Sequence, residues 1–165
     1  MTQATTQLPS PKDVRDMLEE LLGKDITVGD GAPASAGDLQ KATVAVYVDD
    51  SKQVVGVGGM DLPLSAWIGA AIGLIPKGGA EACLEDGELT KMVGENVREV
   101  CNVMAALLNR EGTPHLRLQK ESCYLPGEPP PADIQARLVA LGARLDLNVT
   151  VAGYGPGKLW ISLAG

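Results

Sequence analysis

The sequence predicts an α+β domain: a mostly antiparallel sheet packed with long amphipathic helices. Two observations carry this reading. First, β-branched or alternating apolar runs come in pairs joined by short turns, at residues 42–48 with 53–58 and 145–151 with 159–163. Second, helical periodicities fall in blocks between these pairs and do not separate the strands one by one. A doubly wound parallel sheet is the second reading. At 165 residues, with 45% hydrophobic and 21% charged residues, the chain has the makeup of one folding unit with a sizeable core. We read residues 1–9 as a flexible tail and residues 10–165 as a single domain.

The first helix begins at Ser10, where Ser-Pro-Lys-Asp supplies a capping hydroxyl, a proline at the first helical position and an acid three residues after the cap. Val14, Met17, Leu18, Leu21 and Leu22 then form one apolar stripe, and Gly23 is placed to end the helix. Ile26 to Val28 reads as a short strand, and Asp30 to Gly37 as a surface loop. Residues 42–48 and 53–58 form a hairpin around Asp49, Asp50, Ser51 and Lys52. Leu62 to Gly73 has no clear polar face, so a mostly buried helix is expected there, started near Asp61 and Pro63 and stopped before Pro76.

Lys77 to Glu85 adds a further helical turn. Asp86 or a neighbour then caps the longest helix, from about Glu88 to Arg110. His115 to Lys120 reads as a short strand, and Leu125 to Pro131 as a proline-rich loop. Residues 131–141 read as a helix burying Ile134, Leu138 and Leu141 and ending at Gly142. The chain closes with a hairpin turning at Gly153 to Gly157.

Charge and composition exclude several functions. With 14 Lys+Arg against 21 Asp+Glu the formal charge is -7, no basic cluster offsets it, and aromatics are only 3%, so nucleic acid is not a partner. Leu62 to Ile75 is the most apolar run and is too short to span a bilayer core of ~30 Å, so no membrane association follows. Cys83, Cys101 and Cys123 have no metal-ligand spacing and read as buried thiols in a reducing, cytoplasmic setting. Gly56, Gly58, Gly59, Gly78 and Gly79 fit no phosphate-loop pattern and read as structural turns. His115 has no nucleophile or orienting acid in its flanks and reads as a strand-edge histidine.

The longest helix is the informative one. Val93, Val97, Val100, Cys101, Met104, Leu107 and Leu108 define its buried stripe, while Glu95, Glu99 and Asn102 fall on another face. Two like charges at i, i+4 oppose the helix slightly, and Asn is a mediocre residue in a helix interior, so local stability does not account for this ridge. The structural alternative is a solvated face on which Arg98 softens the repulsion.

The stretch from Glu95 to Ala106 resembles the signature helix of the CheC/CheX/FliY chemotaxis phosphatase family. That pattern is Asp or Ser, three residues, Glu, two residues, Asn, and a Pro some two dozen residues on. Glu99 and Asn102 match its Glu and Asn, Pro126 stands near the Pro, and Glu95 departs from the Asp or Ser. The resemblance extends over most of residues 42–128. Asp16, Glu20 and Gly23 in the first helix look like the same pattern with the Asn lost, so the chain is most similar to a one-site, CheX-type member.

The resemblance implies a CheC-like fold and hydrolysis of the aspartyl phosphate of a CheY-like receiver domain. Glu99 and Asn102 would be catalytic, and Glu95 and Arg98 would bind the partner. No cofactor of the chain's own is implied, because the receiver would supply Mg²⁺. Non-catalytic binding of a receiver or flagellar switch component is the alternative reading. Homodimerisation through a sheet edge is a further expectation.

Overall fold

In the computed structural model the described residues are 5–163, Lys120 by its backbone alone. The elements are α1 (Pro11–Leu22), β1 (Ile26–Asp30), β2 (Thr43–Val48), β3 (Val54–Met60), α2 (Leu62–Ile72), α3 (Lys77–Asp86), α4 (Lys91–Met104), β4 (Arg117–Tyr124), α5 (Ala132–Val139), β5 (Arg144–Val151) and β6 (Gly155–Ser162). Short 3-10 turns at Asp38–Lys41 and Ala105–Leu108 complete the described chain.

The strands form one six-stranded sheet in the order β1-β5-β6-β3-β2-β4, and every neighbouring pair is antiparallel. The two expected hairpins, β2-β3 and β5-β6, lie side by side and meet along β3 and β6. Each hairpin's outer strand pairs with an edge strand that follows a helix: β5 with β1 after α1, and β2 with β4 after α4. The order is therefore pseudo-two-fold, with α1-β1 and α4-β4 as equivalent halves.

One face of the sheet carries α1, α2 and α4. Its core runs from Val14 and Leu18 of α1 through Leu64 and Ile68 of α2 to Val93, Val97 and Val100 of α4, over Tyr47, Met60, Val149 and Leu159 of the strands. α2 lies against both neighbouring helices and β6, which explains its lack of a polar face. The opposite face holds a smaller core, with Ile134 and Leu138 of α5, Leu39 and Ala34 packed on Val44, Val46, Val57 and Trp160. β2 is consequently buried along its whole length.

Several expectations are corrected. Thr6 and Pro9 are buried and Leu8 packs on the larger core, so the packed chain begins ahead of Ser10; residues 1–4 of the expected tail lie outside the described residues. Residues 77–86 make a full helix that includes Asp86, so Asp86 caps nothing: Thr90 does, its hydroxyl accepting from the Val93 N–H at 3.3 Å. α4 stops at Met104 and tightens into the 3-10 turn, well short of Arg110. α5 ends at Val139, leaving Leu141 exposed, because the Arg144 guanidinium takes the Leu138 and Ala140 carbonyls. The fourth strand runs to Tyr124 and leaves His115 just outside it. Gly56, Gly58 and Gly59 lie inside β3, not in a turn; a Cβ at Gly59 would meet Leu138 Cδ2 at 2.9 Å, so the bare backbone lets α5 close onto the strand.

Candidate functional site

α4 presents its ridge to solvent. Glu95, Glu99 and Asn102 are exposed, while Val93, Gly94, Val97, Val100, Cys101 and Met104 are buried beneath them. None of the three ridge side chains makes a hydrogen bond or ion pair with another described residue. Their neighbour Asn96 differs: its Nδ2 donates to the Gly69 carbonyl at 2.9 Å and fastens α4 to α2.

The helix is held on its other flank by β4 and the loop after it. Arg98 donates to the Cys123 carbonyl at 3.3 Å and to both carboxylate oxygens of Glu128 at 3.2 Å. Glu128 in turn accepts the Leu125 N–H at 2.9 Å, and Pro126 is buried in the same loop. Arg98 is thus engaged within the chain, and its guanidinium turns toward Glu128 and not along the row of Glu95 and Glu99. Below the helix, the Tyr47 hydroxyl donates to the Cys101 carbonyl at 2.7 Å, which fixes the residue preceding Asn102. The sequence reading missed this tether. Its signal was a single phenol among the Val and Ala residues of β2, since a buried hydroxyl requires a partner.

The arrangement is a rigid rod bearing two free carboxylates and one free carboxamide. The carboxamide can donate and accept at once, and the carboxylates can receive a cation. One turn beyond Asn102, Ala106 and Leu107 join Met17, Asp13, Asp16, Asn109 and Arg110 in lining a groove of about 360 Å³ between the 3-10 turn and α1. Among the described residues no three His, Cys, Asp or Glu side chains cluster as metal ligands, and no helix is long and apolar enough to cross a membrane.

The corresponding place on α1 lacks the carboxamide. Asp16 and Glu20 are exposed, but Asp16 is bound by Lys12 at 2.6 Å and Arg15 at 3.3 Å. Gly23 adopts φ +64°, the left-handed conformation that ends the helix where α4 continues to Asn102. His115 is exposed, with Nδ1 4.0 Å from Asp50, and shares a shallow surface pocket with Asp49, Asp50 and Ser51 of the β2-β3 turn.

No protein-family model and no curated protein matches this chain in sequence. Solved structures do match in fold. FliM from H. pylori, solved in complex with SpeE, superposes with a TM-score of 0.56 at 6% identity, over 93% of this chain and 81% of that one. CheX from Borrelia burgdorferi, solved with CheY, BeF3 and Mg²⁺, gives 0.54 at 13% identity, over 91% and 92%. The FliM middle domain from H. pylori gives 0.52 at 10% identity, over 93% and 84%. The chain therefore has the α+β, CheC-like fold, the architecture that CheX shares with the FliM middle domain.

Proposed function

We propose that this protein is a phosphatase of a phosphorylated, CheY-like receiver domain. The observation that carries the reading is the ridge: Glu99 and Asn102 sit exposed and unpartnered on a helix tied down on both flanks and from below. Neither packing nor helix propensity calls for them there. Support also comes from the fold shared with a CheX solved in complex with CheY.

An acyl phosphate is labile, so hydrolysis needs chiefly a water held in line with the scissile bond. α4 inserts its ridge into the receiver's phosphorylation site. The Asn102 amide accepts from and donates to the water, the water oxygen attacks phosphorus, the P–O bond to the receiver's aspartate breaks, and a carboxylate and inorganic phosphate are left, the water's protons going to the phosphate and solvent. Glu99 pairs with the receiver's lysine, and Glu95 and Arg98 border the contact. Mg²⁺ would be supplied by the receiver, and there it would offset the charge of the phosphoryl group. The test is release of phosphate from a panel of phosphorylated receivers: wild-type protein shortens the life of at least one, and Asn102→Ala does not.

A second reading, non-catalytic binding of a receiver or switch component, is favoured by two observations. FliM structures share the fold equally well, and Glu95 is one methylene longer than the Asp, and charged unlike the Ser, that the family pattern has there. It predicts receiver binding with an unchanged phosphate lifetime. In either reading a homodimer would form through an edge strand, β1 or β4, and light scattering at micromolar concentrations measures it.

A further inference from the structure

Three large apolar side chains stand exposed among the described residues, and two of them flank the same end of the ridge. Met92, 61% exposed, lies on α4 one turn before Glu95 and two before Glu99, on the stripe that continues to Asn102. Leu74, 83% exposed, follows the end of α2. Its place beside α4 is set by Gly73, where an added Cβ would meet the Asn96 Nδ2 at 2.5 Å. Asn96 is itself one turn after Met92.

Leu74 also holds an unfavourable backbone conformation. The Leu74 N–H donates to the Ala71 carbonyl at 3.2 Å and the Ile75 N–H to the Ala70 carbonyl at 2.8 Å, a helix ending that places Leu74 at the left-handed position glycine usually takes. Its φ is +57°, while Gly73, one residue earlier, has an ordinary φ of -91°. Lys52, the other described non-glycine residue with positive φ, sits in a hairpin turn. A side chain this exposed recovers little by packing within the chain, so a leucine here is costly to the fold and without local benefit.

We propose that Leu74 and Met92 are the apolar contact by which the ridge holds the receiver, covered by apolar surface beside the receiver's phosphorylation site. The inference rests on a receiver being the partner, in the catalytic or the non-catalytic reading. Met92 lies about 15 Å along the helix from Asn102, at 1.5 Å per residue. An ordinary interface covers about 800 Å² on each partner, a patch about 16 Å in radius, so a receiver seated on Asn102 reaches both side chains. The acids and the amide fix its register, and the apolar pair supplies burial that a polar ridge lacks.

The experiment measures binding and dephosphorylation of the receivers in the panel by full-length Leu74→Gly and Met92→Ala, with melting temperatures and light scattering. Each variant weakens receiver binding about fivefold or more, and in the catalytic reading the rate at saturating receiver holds. Leu74→Gly melts no lower than wild type, because glycine suits the left-handed position. Leu141→Ser, which changes the third exposed side chain, beyond α5 on the other face of the sheet, binds like wild type. Unchanged binding by both variants while wild type binds a receiver overturns the apolar contact and leaves the proposed function standing. A lowered melting temperature or failure to fold for Leu74→Gly overturns it in favour of a structural role, and a wild-type oligomer that either variant dissociates assigns the pair to self-association. Wild type that binds no receiver removes the proposed function and this contact together.

Discussion

The Tyr47 hydroxyl donates a 2.7 Å hydrogen bond to the carbonyl of Cys101, 54 residues away, and so anchors the helix residue before Asn102 to β2, the strand beside the edge strand β4. Tyr47 is only 2% exposed, so neither group has water as an alternative partner. Tyr47→Phe preserves the ring and leaves the carbonyl one partner short. A loss of about 1–3 kcal/mol in urea unfolding is expected, the cost of a buried polar group without its hydrogen bond. A change within a few tenths of a kcal/mol would show that the tether is not an anchor.

Arg144 and Asp146 form a second concealed device. Nε and Nη2 donate to the two carboxylate oxygens at 2.8 Å, and Nη1 donates to the Leu138 and Ala140 carbonyls at 2.8 and 2.7 Å. The side chains are 7% and 11% exposed. Arg144→Ala leaves a buried carboxylate unpaired and the end of α5 uncapped, for an expected loss of about 3–5 kcal/mol. Replacing both residues with apolar ones should recover much of that loss, which a double-mutant cycle by thermal unfolding measures.

Burial raises the Asp61 carboxyl above its ordinary 3.8, although hydrogen bonds from Leu64 and Lys158 favour the charge. An acid whose folded pKa is raised binds its proton more tightly in the native state. Its ionisation therefore costs stability at neutral pH, and that cost is relieved as pH falls through the folded pKa toward 3.8. Asp61→Asn keeps a capping oxygen for the Leu64 N–H. The variant should match or exceed wild type at pH 7, with any advantage disappearing below the unfolded pKa. Unfolding free energies across that range test the sign, and an advantage that grows in acid contradicts it.

The Tyr47 tether and the Arg144 cap lie where the sequence is not legible. Elements with strong periodicity, such as α1 with its Ser10 cap and the two hairpins, could be placed because pattern and turn chemistry agree locally. The ridge was legible for the opposite reason: Glu95, Glu99 and Asn102 disagree with what an isolated helix needs. Arg98 was read beside the acids of its own helix, but its strongest partner, Glu128, lies 30 residues on in a loop. The Arg144 cap and the Tyr47 tether are likewise contacts between distant segments, and spacing along one element carries no trace of them. The start of α4 was misplaced because Asp86 and Thr90 are both good caps, and only the end of α3 at Gly87 decides between them.

Exposed and unpartnered, the ridge separates function from stability. Asn102→Ala and Glu99→Ala should each leave the unfolding free energy within about 0.5 kcal/mol of wild type, since surface substitutions away from special features are small. A solvated face predicts that receiver dephosphorylation is equally indifferent. A phosphatase predicts a split. Asn102→Ala lowers the rate by about 10²-fold or more while receiver binding persists, because positioning a water matters only in the reaction. Glu99→Ala weakens binding as well, since a charge-assisted contact to lysine is lost on docking. Glu95 is the discriminating position: if its length hinders docking, Glu95→Asp, which keeps the charge and removes one methylene, strengthens binding to the phosphorylated receiver. Binding titrations and phosphate lifetimes on the same four proteins decide the matter. Binding without any change in phosphate lifetime assigns the non-catalytic role, and neither binding nor turnover with any receiver removes the receiver as partner.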